Sequence, residues 1–227
     1  MFRAVAPAGA ASPSPEPFVP DTPTIPAVLP LSLLEAVRNL DTPVEDGLDL
    51  LADEIAARRF GLSNTVAAQI ARYRQAAERN GSVSDDELVS VLRLVGRRPD
   101  AALVFADAGR RAARYAVQAS GRSTRALVKV SPRFLGRSLA SRAVRRLAAI
   151  YFRGEIAADG TDAVVRMSRP LSVGAMPDGS ACGFYGAAYG ELFRSLADFE
   201  GTLAHENCEG RGDAACVWRT ERAAGYE

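Results

Sequence analysis

The segment Cys208-Glu209-Gly210-Arg211-Gly212-Asp213-Ala214-Ala215-Cys216 is typical of a tight, glycine-containing turn between two strands. It holds two of the three cysteines of this 227-residue chain, and the remaining cysteine and the one histidine lie shortly before it. None of the 181 residues before Cys182 is a cysteine or a histidine. Thiolates and an imidazole are preferred zinc ligands, and four of them complete a tetrahedral shell. The spacing Cys-x22-His-x2-Cys-x7-Cys therefore predicts a zinc site formed by Cys182, His205, Cys208 and Cys216.

Two other interpretations of these residues remain open. A cysteine is often a small buried apolar residue, and a histidine near the end of a strand often only forms a hydrogen bond. A Cys208–Cys216 disulfide would also join the turn, but it needs an oxidising compartment. No apolar run is long enough to cross a bilayer, and no apolar stretch that would indicate a secretory signal follows Arg3. These features predict a cytoplasmic protein, whose thiols stay reduced and can bind a metal.

The net charge of +1 results from a basic block between two acidic segments. Residues 1–96 carry a net charge of −5, residues 97–153 one of +12 and residues 154–227 one of −6. An arginine-rich predicted helix in this block could face anionic lipid headgroups or the acidic rims of membrane proteins at the inner membrane, or it could simply lie in solvent. Its central basic residues are Arg137, Arg142, Arg145 and Arg146. The block lacks interleaved aromatic residues, so nucleic acid is not an expected partner.

The N-terminal residues 1–30 form a proline-rich region with no periodic apolar face, which predicts an extended arm. Its apolar residues Phe18 and Ile25 could dock on a partner, and a flexible tail without a role is the alternative. The sequence therefore predicts three regions, which are the arm (1–30), an N-terminal helical region (31–96) and a metal-binding domain (97–227).

Apolar residues recur at helical spacing from Leu31 to Phe152, and Ser84 with Glu87 forms a capping box. Helices are predicted over residues 33–40, 48–60, 66–80, 84–95, 100–115 and 131–151. After Gly154 the pattern changes to strands, predicted over residues 161–167, 199–206 and 214–220, with a covering helix over residues 183–196. The predicted fold class is α+β, with a helical front half followed by a small antiparallel sheet.

Two segments resemble the 4-vinyl reductase domain family. The run CGFYGAAYGELF (Cys182–Phe193) resembles its helix, and HENCEGRGDAACVW (His205–Trp218) resembles its closing strand–turn–strand. The stretches Asp107–Tyr115 and Pro132–Phe152 are most similar to the bacteriochlorophyll-biosynthesis branch of the family. The resemblance covers residues 90–220 and implies a mixed fold shared with the sensor domains of phenol-responsive activators and with vesicle-tethering subunits.

The resemblance also implies a ligand set. The phenol sensors bind zinc through Cys, Glu, Cys and Cys, at positions that correspond to Cys182, His205, Cys208 and Cys216. This chain has a histidine where the sensors have a glutamate, and the neighbouring Glu206 becomes the fourth ligand if a bulge exchanges the two residues. Four protein ligands leave no open position, so the zinc is expected to be structural.

Three functions follow from these patterns. The family name suggests reduction of a tetrapyrrole vinyl group, but the chain has no glycine-rich nucleotide motif and no identifiable general acid, so catalysis is not expected. The second is a binding or sensor domain for a small hydrophobic ligand or a tetrapyrrole such as a bacteriochlorophyll precursor, or an accessory protein of tetrapyrrole 4-vinyl reduction. The pocket of such a binding domain would be lined by aromatic residues, which are more often plain core. These residues are Tyr151, Phe184, Tyr185, Tyr189 and Phe193. The third, which we favour, is a peripheral scaffold or assembly subunit of a bacterial photosynthetic reaction-centre or light-harvesting complex.

Overall fold

The computed structural model describes residues 23–41, 64–120 and 133–222, without the side chains of 64–65 and 133–137. Its helices are α1 (Val28–Asp41), α2 (Asn64–Glu78), α3 (Asp85–Gly96), α4 (Ala101–Ala119), α5 (Arg133–Phe152), α6 (Leu171–Ala175) and α7 (Cys182–Ala197). Its strands are β1 (Thr24–Pro26), β2 (Ser82–Ser84), β3 (Glu155–Asp159), β4 (Asp162–Met167), β5 (Gly201–Asn207) and β6 (Cys216–Arg222). Helices combined with antiparallel strands confirm the predicted α+β class.

The centre of the fold is the close packing of α4 on α7. Small residues recur every three to four positions along α4, and Ala108, Gly109 and Ala112 are all buried. A Cβ atom at Gly109 would lie 2.2 Å from the carbonyl oxygen of Phe184 on α7, so this position has no room for a side chain. The small residues therefore let the two helix backbones touch. Helix α1 packs on α4, and α5 packs on α7.

The second layer is an antiparallel sheet with the strand order β3-β4-β6-β5. A two-residue turn joins β3 to β4, and Gly160 in this turn has a φ of +61°. Val165 and Met167 of β4 and Trp218 of β6 are buried, as expected for alternate residues of a sheet with one face on the core. The β5–β6 turn and the first residue of α7 consequently meet at one end of the sheet.

The prediction of a proline-rich extended arm over residues 1–30 is wrong for the C-terminal end of this range. Strand β1 pairs with β2, and α1 already begins at Val28 with a proline in its first turn, where the missing N–H costs no hydrogen bond. Ile25 is only 1% exposed because it packs into the core of its own chain, so it is not available to a partner. Phe18, the other predicted docking residue, lies outside the described residues.

Most of the other predicted elements have counterparts. The capping box is confirmed, since the Ser84 side chain accepts a hydrogen bond from the backbone N–H of Glu87 at the start of α3. Strands β4, β5 and β6 lie where strands were predicted, each shifted by no more than two residues. The pattern missed β1, β2, β3 and the short α6. The helix predicted over residues 48–60 lies outside the described residues.

The domain boundary expected after residue 96 falls in the short connection between α3 and α4. In this connection Arg98 donates hydrogen bonds to Asp41 at the end of α1, at 2.7 Å, and to Asp100 before α4, at 2.8 Å. Residues on both sides of the boundary, such as Leu92 and Phe105, belong to one apolar core. The described parts of the helical region and of the C-terminal region are therefore packed together.

A buried carboxylate joins three of the helices. Glu35 of α1 is 6% exposed, and its Oε1 accepts a hydrogen bond from Arg74 of α2 at 2.8 Å. Its Oε2 accepts one from the hydroxyl of Tyr115 on α4 at 2.7 Å. Burial and the neighbouring carboxylate raise the pKa of Tyr115 to about 12. Both carboxylate oxygens thus have a donor, as a buried charge requires.

We expect Tyr115→Phe to lower the free energy of unfolding by about 1.5 kcal/mol near pH 8, because one oxygen of a buried carboxylate loses its donor. This difference between variant and wild type should shrink as the pH rises from about 10 to about 12. In that range the unfolded tyrosine loses its proton while folded Tyr115 keeps it, so the stability that this hydroxyl contributes declines. Urea unfolding of both proteins across this range measures the effect, and a difference that is independent of pH would contradict it.

Candidate metal centre

The four residues grouped by the sequence pattern lie together at one end of the sheet. Cys182 is the first residue of α7 and Cys216 the first of β6, while His205 lies in β5 and Cys208 directly follows that strand. One ligand atom from each residue lies within 4.8 Å of the others. This group can therefore hold a metal ion between the start of α7 and the β5–β6 turn.

The three sulfur atoms are separated as the corners of a tetrahedral thiolate shell. The Sγ–Sγ distances are 3.9 Å from Cys182 to Cys208, 3.9 Å from Cys182 to Cys216 and 3.8 Å from Cys208 to Cys216. Thiolates bound about 2.3 Å from a tetrahedral metal lie about 3.8 Å apart, whereas bonded sulfurs lie about 2.05 Å apart. All three cysteines are free and buried. The distances thus fit three thiolates that share one metal ion, and Cys208 and Cys216 are too far apart to be joined by a disulfide in this structure.

His205 presents an unsatisfied nitrogen beside this sulfur cluster. Its Nε2 is buried and has no hydrogen-bond partner among the described residues. The ring stacks on Trp218 with a centroid distance of 4.6 Å and an interplanar angle of 8°, and it also bonds to the backbone of Asn207. A buried nitrogen without a partner is costly, and coordination to a metal would satisfy it. Burial and nearby Arg211 lower the pKa of His205, which favours the neutral ring that binds metals.

The neighbouring Glu206 does not join the ligand group. A β-bulge interrupts the pairing of β5 with β6 between His205 and Asn207, so Glu206 has no partner in the register. The Glu206 carboxylate instead accepts a hydrogen bond from Nε of Arg219 at 2.8 Å. The alternative with Glu206 as the fourth ligand requires a bulge at this point of β5, and a bulge is present. It nevertheless leaves His205, and not Glu206, grouped with the cysteines.

The β5–β6 turn is held in shape by its own hydrogen bonds. The backbone N–H of Cys208 donates to Oδ2 of Asp213 at 2.7 Å, while the Cys208 carbonyl accepts from the N–H groups of Arg211 and Asp213. Gly212 has a φ of +93°, a conformation that favours glycine. The Arg211 side chain donates to the carbonyl of His205 at 3.2 Å. These bonds fix two of the ligands relative to each other before a metal binds.

The loop before α7 closes the other side of the site. Gly179 has a φ of +75°, and its carbonyl accepts the backbone N–H of Cys182 at 3.0 Å. A Cβ atom at Gly179 would lie 2.5 Å from Sγ of Cys208. The hydroxyl of Ser172, a buried residue of α6, lies 3.2 Å from Sγ of Cys182. The sulfurs are thus enclosed by backbone on one side and by a polar contact on the other.

The thiols of Cys182 and Cys216 keep their protons at neutral pH when no metal is bound. Burial raises the pKa of the Cys182 thiol far above its ordinary value, and burial also raises the pKa of Cys216. Only the thiolate form coordinates a metal. Metal binding must therefore release protons from this cluster, and the charge of the ion compensates for the burial of the thiolates.

Comparisons of this chain with protein-family models, with curated proteins and with solved structures find no match. The family resemblance drawn from Cys182–Phe193 and His205–Trp218 stays a prediction. The metal centre rests on the geometry of this chain alone.

The aromatic residues predicted to line a ligand pocket belong to the core. Phe184, Tyr185 and Tyr189 are at most 2% exposed, and Phe193 is also buried. The Tyr189 ring contacts both Tyr185 and Trp218, and its hydroxyl donates to a backbone carbonyl. Tyr151 is partly buried against the same core. These side chains pack on one another, which is the arrangement that the core interpretation predicted.

The predicted arginine face is present where the structure describes it. Arg142, Arg145 and Arg146 are exposed on α5, and the side chain of Arg137 lies outside the described residues. Among the described residues, no helix combines the length and the apolar character needed to cross a membrane.

Sequence reasoning missed the residues that support the ligands, which are Ser172, Gly179, Asp213 and Trp218. Gly179 follows Asp178 and precedes Ser180, and such an Asp-Gly-Ser run is a turn signal that could have found it. Ser172 lies ten residues before Cys182 and carries no local signal of its contact. Long-range neighbours of this kind can be found only once the fold is known.

We expect Gly179→Ala to weaken metal binding by about tenfold to a hundredfold, because the new methyl group would push against Sγ of Cys208. Gly160→Ala is the matched control, since Gly160 also has a positive φ but has nothing within 4 Å of the added Cβ. Both variants should lose about 1 kcal/mol of stability through backbone strain. Competition titration against a chromophoric chelator measures affinity, and equal affinities for the two variants would refute the steric role of Gly179.

Proposed function

We propose that this chain is a non-catalytic scaffold or assembly subunit of a bacterial photosynthetic reaction-centre or light-harvesting complex, built on a zinc-stabilised domain of the 4-vinyl-reductase-like type. The observation that carries the non-catalytic part is the closed ligand shell of Cys182, His205, Cys208 and Cys216. A catalytic zinc keeps an open position for water or substrate, whereas four protein ligands are typical of structural zinc.

The donor set supports zinc as the resident ion. Three thiolates and one imidazole form a soft tetrahedral site, and such sites select zinc over the hard cations magnesium and calcium. The three cysteines are at most 2% exposed, so an ion held there is shielded from solvent. Its role would be to tie the start of α7 to the β5–β6 turn, which are separated in sequence and have no disulfide between them.

The proposed photosynthetic partner comes from the resemblance of Asp107–Tyr115 and Pro132–Phe152 to the bacteriochlorophyll-biosynthesis branch of the family. The packed aromatic core supports a scaffold over a pigment-binding domain, because Tyr185 and Tyr189 are buried against each other and Tyr189 also packs on Trp218 of the sheet. The exposed arginines of α5 supply a surface for attachment. The alternative is a bacteriochlorophyll-precursor carrier or an accessory protein of vinyl reduction, and the experiment must distinguish it from the scaffold.

The test is capture of the tagged full chain from membranes of its native bacterium, with metal and pigment analysis of the same sample. We expect one equivalent of zinc and specific co-purification of reaction-centre or light-harvesting subunits. A stoichiometric tetrapyrrole on the isolated chain, without those subunits, would support the carrier instead. Reduction of a vinyl tetrapyrrole by the purified chain with added reductant would overturn the non-catalytic assignment.

Two variants sharpen this experiment. Deletion of residues 1–22 removes the part of the predicted arm that precedes β1, so it leaves Ile25 and the core in place. If the arm clamps a partner, this deletion should lower the yield of captured subunits while zinc content stays the same. Cys216→Ser should lower both zinc content and capture, because it disturbs the domain itself. Unchanged capture by the deletion variant would remove the arm from the binding surface.

A further inference from the structure

The solvent-facing side of α5 carries a continuous stripe of arginines and apolar residues. The exposed residues of the stripe are Arg142, Arg145, Arg146, Ala149 and Ile150. At 3.6 residues per turn they fall within an arc of about 140° and extend over about 12 Å of helix. The opposite face holds Val144, Leu147 and Ala148, which are buried against the rest of the fold. We refer to these five exposed residues as the α5 stripe.

The charges of the α5 stripe are not neutralised within the described part of the chain. No hydrogen bond or ion pair joins Arg142, Arg145 or Arg146 to any described residue. The helix sequence RFLGRSLASRAVRRLAAIYF contains no acidic residue. Some other surface arginines are paired, since Arg153, just after the helix, pairs with Asp85 and Arg219 pairs with Asp159. The α5 stripe is therefore a cationic surface without a partner among the described residues.

We propose that the α5 stripe binds the anionic surface of a lipid bilayer. This names the surface that the scaffold of the preceding section would contact, and it rests on that proposed function. Arginines near an anionic leaflet each contribute about 1 kcal/mol, and an amphipathic helix adds apolar burial between the headgroups. Ile150 is a branched apolar residue that is 53% exposed beside the arginines, which suits shallow insertion.

The shape of the surface favours lipid over an acidic protein segment. All five residues of the α5 stripe lie on a single helix and are exposed, so within the described part of the chain they form an open surface. Two open grooves of the described residues lie elsewhere, along α2 and α3. A planar anionic surface can contact all three guanidinium groups and Ile150 at the same time. An acidic polypeptide is the competing partner, and the experiment uses polyglutamate to represent it.

The test is flotation of the zinc-loaded full chain with vesicles of pure phosphatidylcholine and with vesicles that also contain phosphatidylglycerol. We expect binding only to the anionic vesicles, with a partition coefficient that falls as salt is raised, because salt screens exposed charges. Arg142→Gln/Arg145→Gln/Arg146→Gln should weaken partition by about a hundredfold, at about fivefold for each charge. Ile150→Gln should weaken it by about tenfold.

The matched control removes the same net charge elsewhere. Arg79→Gln/Arg97→Gln/Arg169→Gln changes three exposed arginines in three separate places and should alter partition by less than about tenfold, through the general field alone. A triple Arg→Lys variant of the α5 stripe should keep most of the binding, which separates loss of charge from loss of folding. Thermal unfolding of each variant confirms that the fold is intact.

Two results would overturn the proposal. The first is absence of binding to anionic vesicles at low salt, including the case in which the chain binds polyglutamate instead. The second is equal weakening by the two Arg→Gln triple variants, which would make the effect one of net charge. The vesicles contain no protein, so their outcome is independent of the capture experiment. If the chain fails to bind vesicles but still captures the photosynthetic subunits, only the lipid-binding proposal is refuted. If it binds vesicles but captures no such subunits, only the proposed scaffold function is refuted.

Discussion

Removal of the proposed zinc ion with a strong chelator is expected to lower the free energy of unfolding of this chain by about 4 kcal/mol or more. An ion present at about 1,000 times its dissociation constant stabilises the folded state by about that amount. The ligands come from α7, β5, the turn and β6, so the ion joins segments that are separated by up to 34 positions in sequence. Without the ion, three buried thiols and Nε2 of His205 lose their common partner.

The measurement is thermal and urea unfolding of the holo protein with and without chelator, together with hydrogen exchange. We expect a fall of about 10 °C in melting temperature for a chain of this length. Exchange protection should be lost first in β5, in β6 and at the start of α7, while α4 stays protected because its buried residues belong to the apolar core. Uniform loss of protection would instead mean that the metal supports the whole core.

Single substitutions test which side chains hold the ion. Cys216→Ser and His205→Gln should each lose stoichiometric zinc, and their unfolding should no longer respond to chelator. Glu206→Gln is the control, because the Glu206 carboxylate accepts a hydrogen bond from Arg219 and does not belong to the group of four ligand residues. Full zinc content in His205→Gln combined with loss of zinc in Glu206→Gln would show that the ligand assignment is reversed.

The ligand group was predictable because its chemistry is rare in this chain. A sequence with three cysteines and one histidine, all within 35 residues of each other, offers few alternative ligand sets. Three of the four ligands also lie on one hairpin, so their proximity is a local property of the turn. The choice between His205 and Glu206 was not predictable in the same way. It depends on where the β5 bulge falls, and the bulge is set by pairing with β6.

The prediction of an extended arm over residues 1–30 is wrong at its C-terminal end because β1 pairs with a strand that is distant in sequence. Ile25 is buried in a strand where it pairs with Val83, 58 positions later. The prolines on either side of Ile25 are typical of an extended arm, so the local sequence does not indicate this pairing. Strand β3 was missed for a different reason. Its sequence Glu-Ile-Ala-Ala-Asp is mostly exposed and lacks the alternation of a half-buried strand, so only the Asp-Gly turn at Gly160 indicated a hairpin.

Gly109→Ala is expected to destabilise the fold by about 2 kcal/mol or more, although alanine is the better helix former by about 1 kcal/mol. The added Cβ would lie 2.2 Å from the carbonyl oxygen of Phe184 and 2.9 Å from the backbone nitrogen of Ala188. Both atoms belong to the backbone of α7, so no side-chain rotation can relieve the contact. The two helices must move apart, and the small residues of α4 then lose their packing.

Gly183→Ala is the matched control for this prediction, since Gly183 lies on the exposed side of α7 with nothing within 4 Å of an added Cβ. It should raise stability by about 0.5 kcal/mol through helix propensity alone. Urea unfolding of the two variants and the wild type, all loaded with zinc, gives the comparison. Because the α4–α7 contact lies in the core and not in the metal shell, Gly109→Ala should keep its zinc while it loses stability. An equal gain in stability from both substitutions would show that α4 and α7 do not pack backbone against backbone at Gly109.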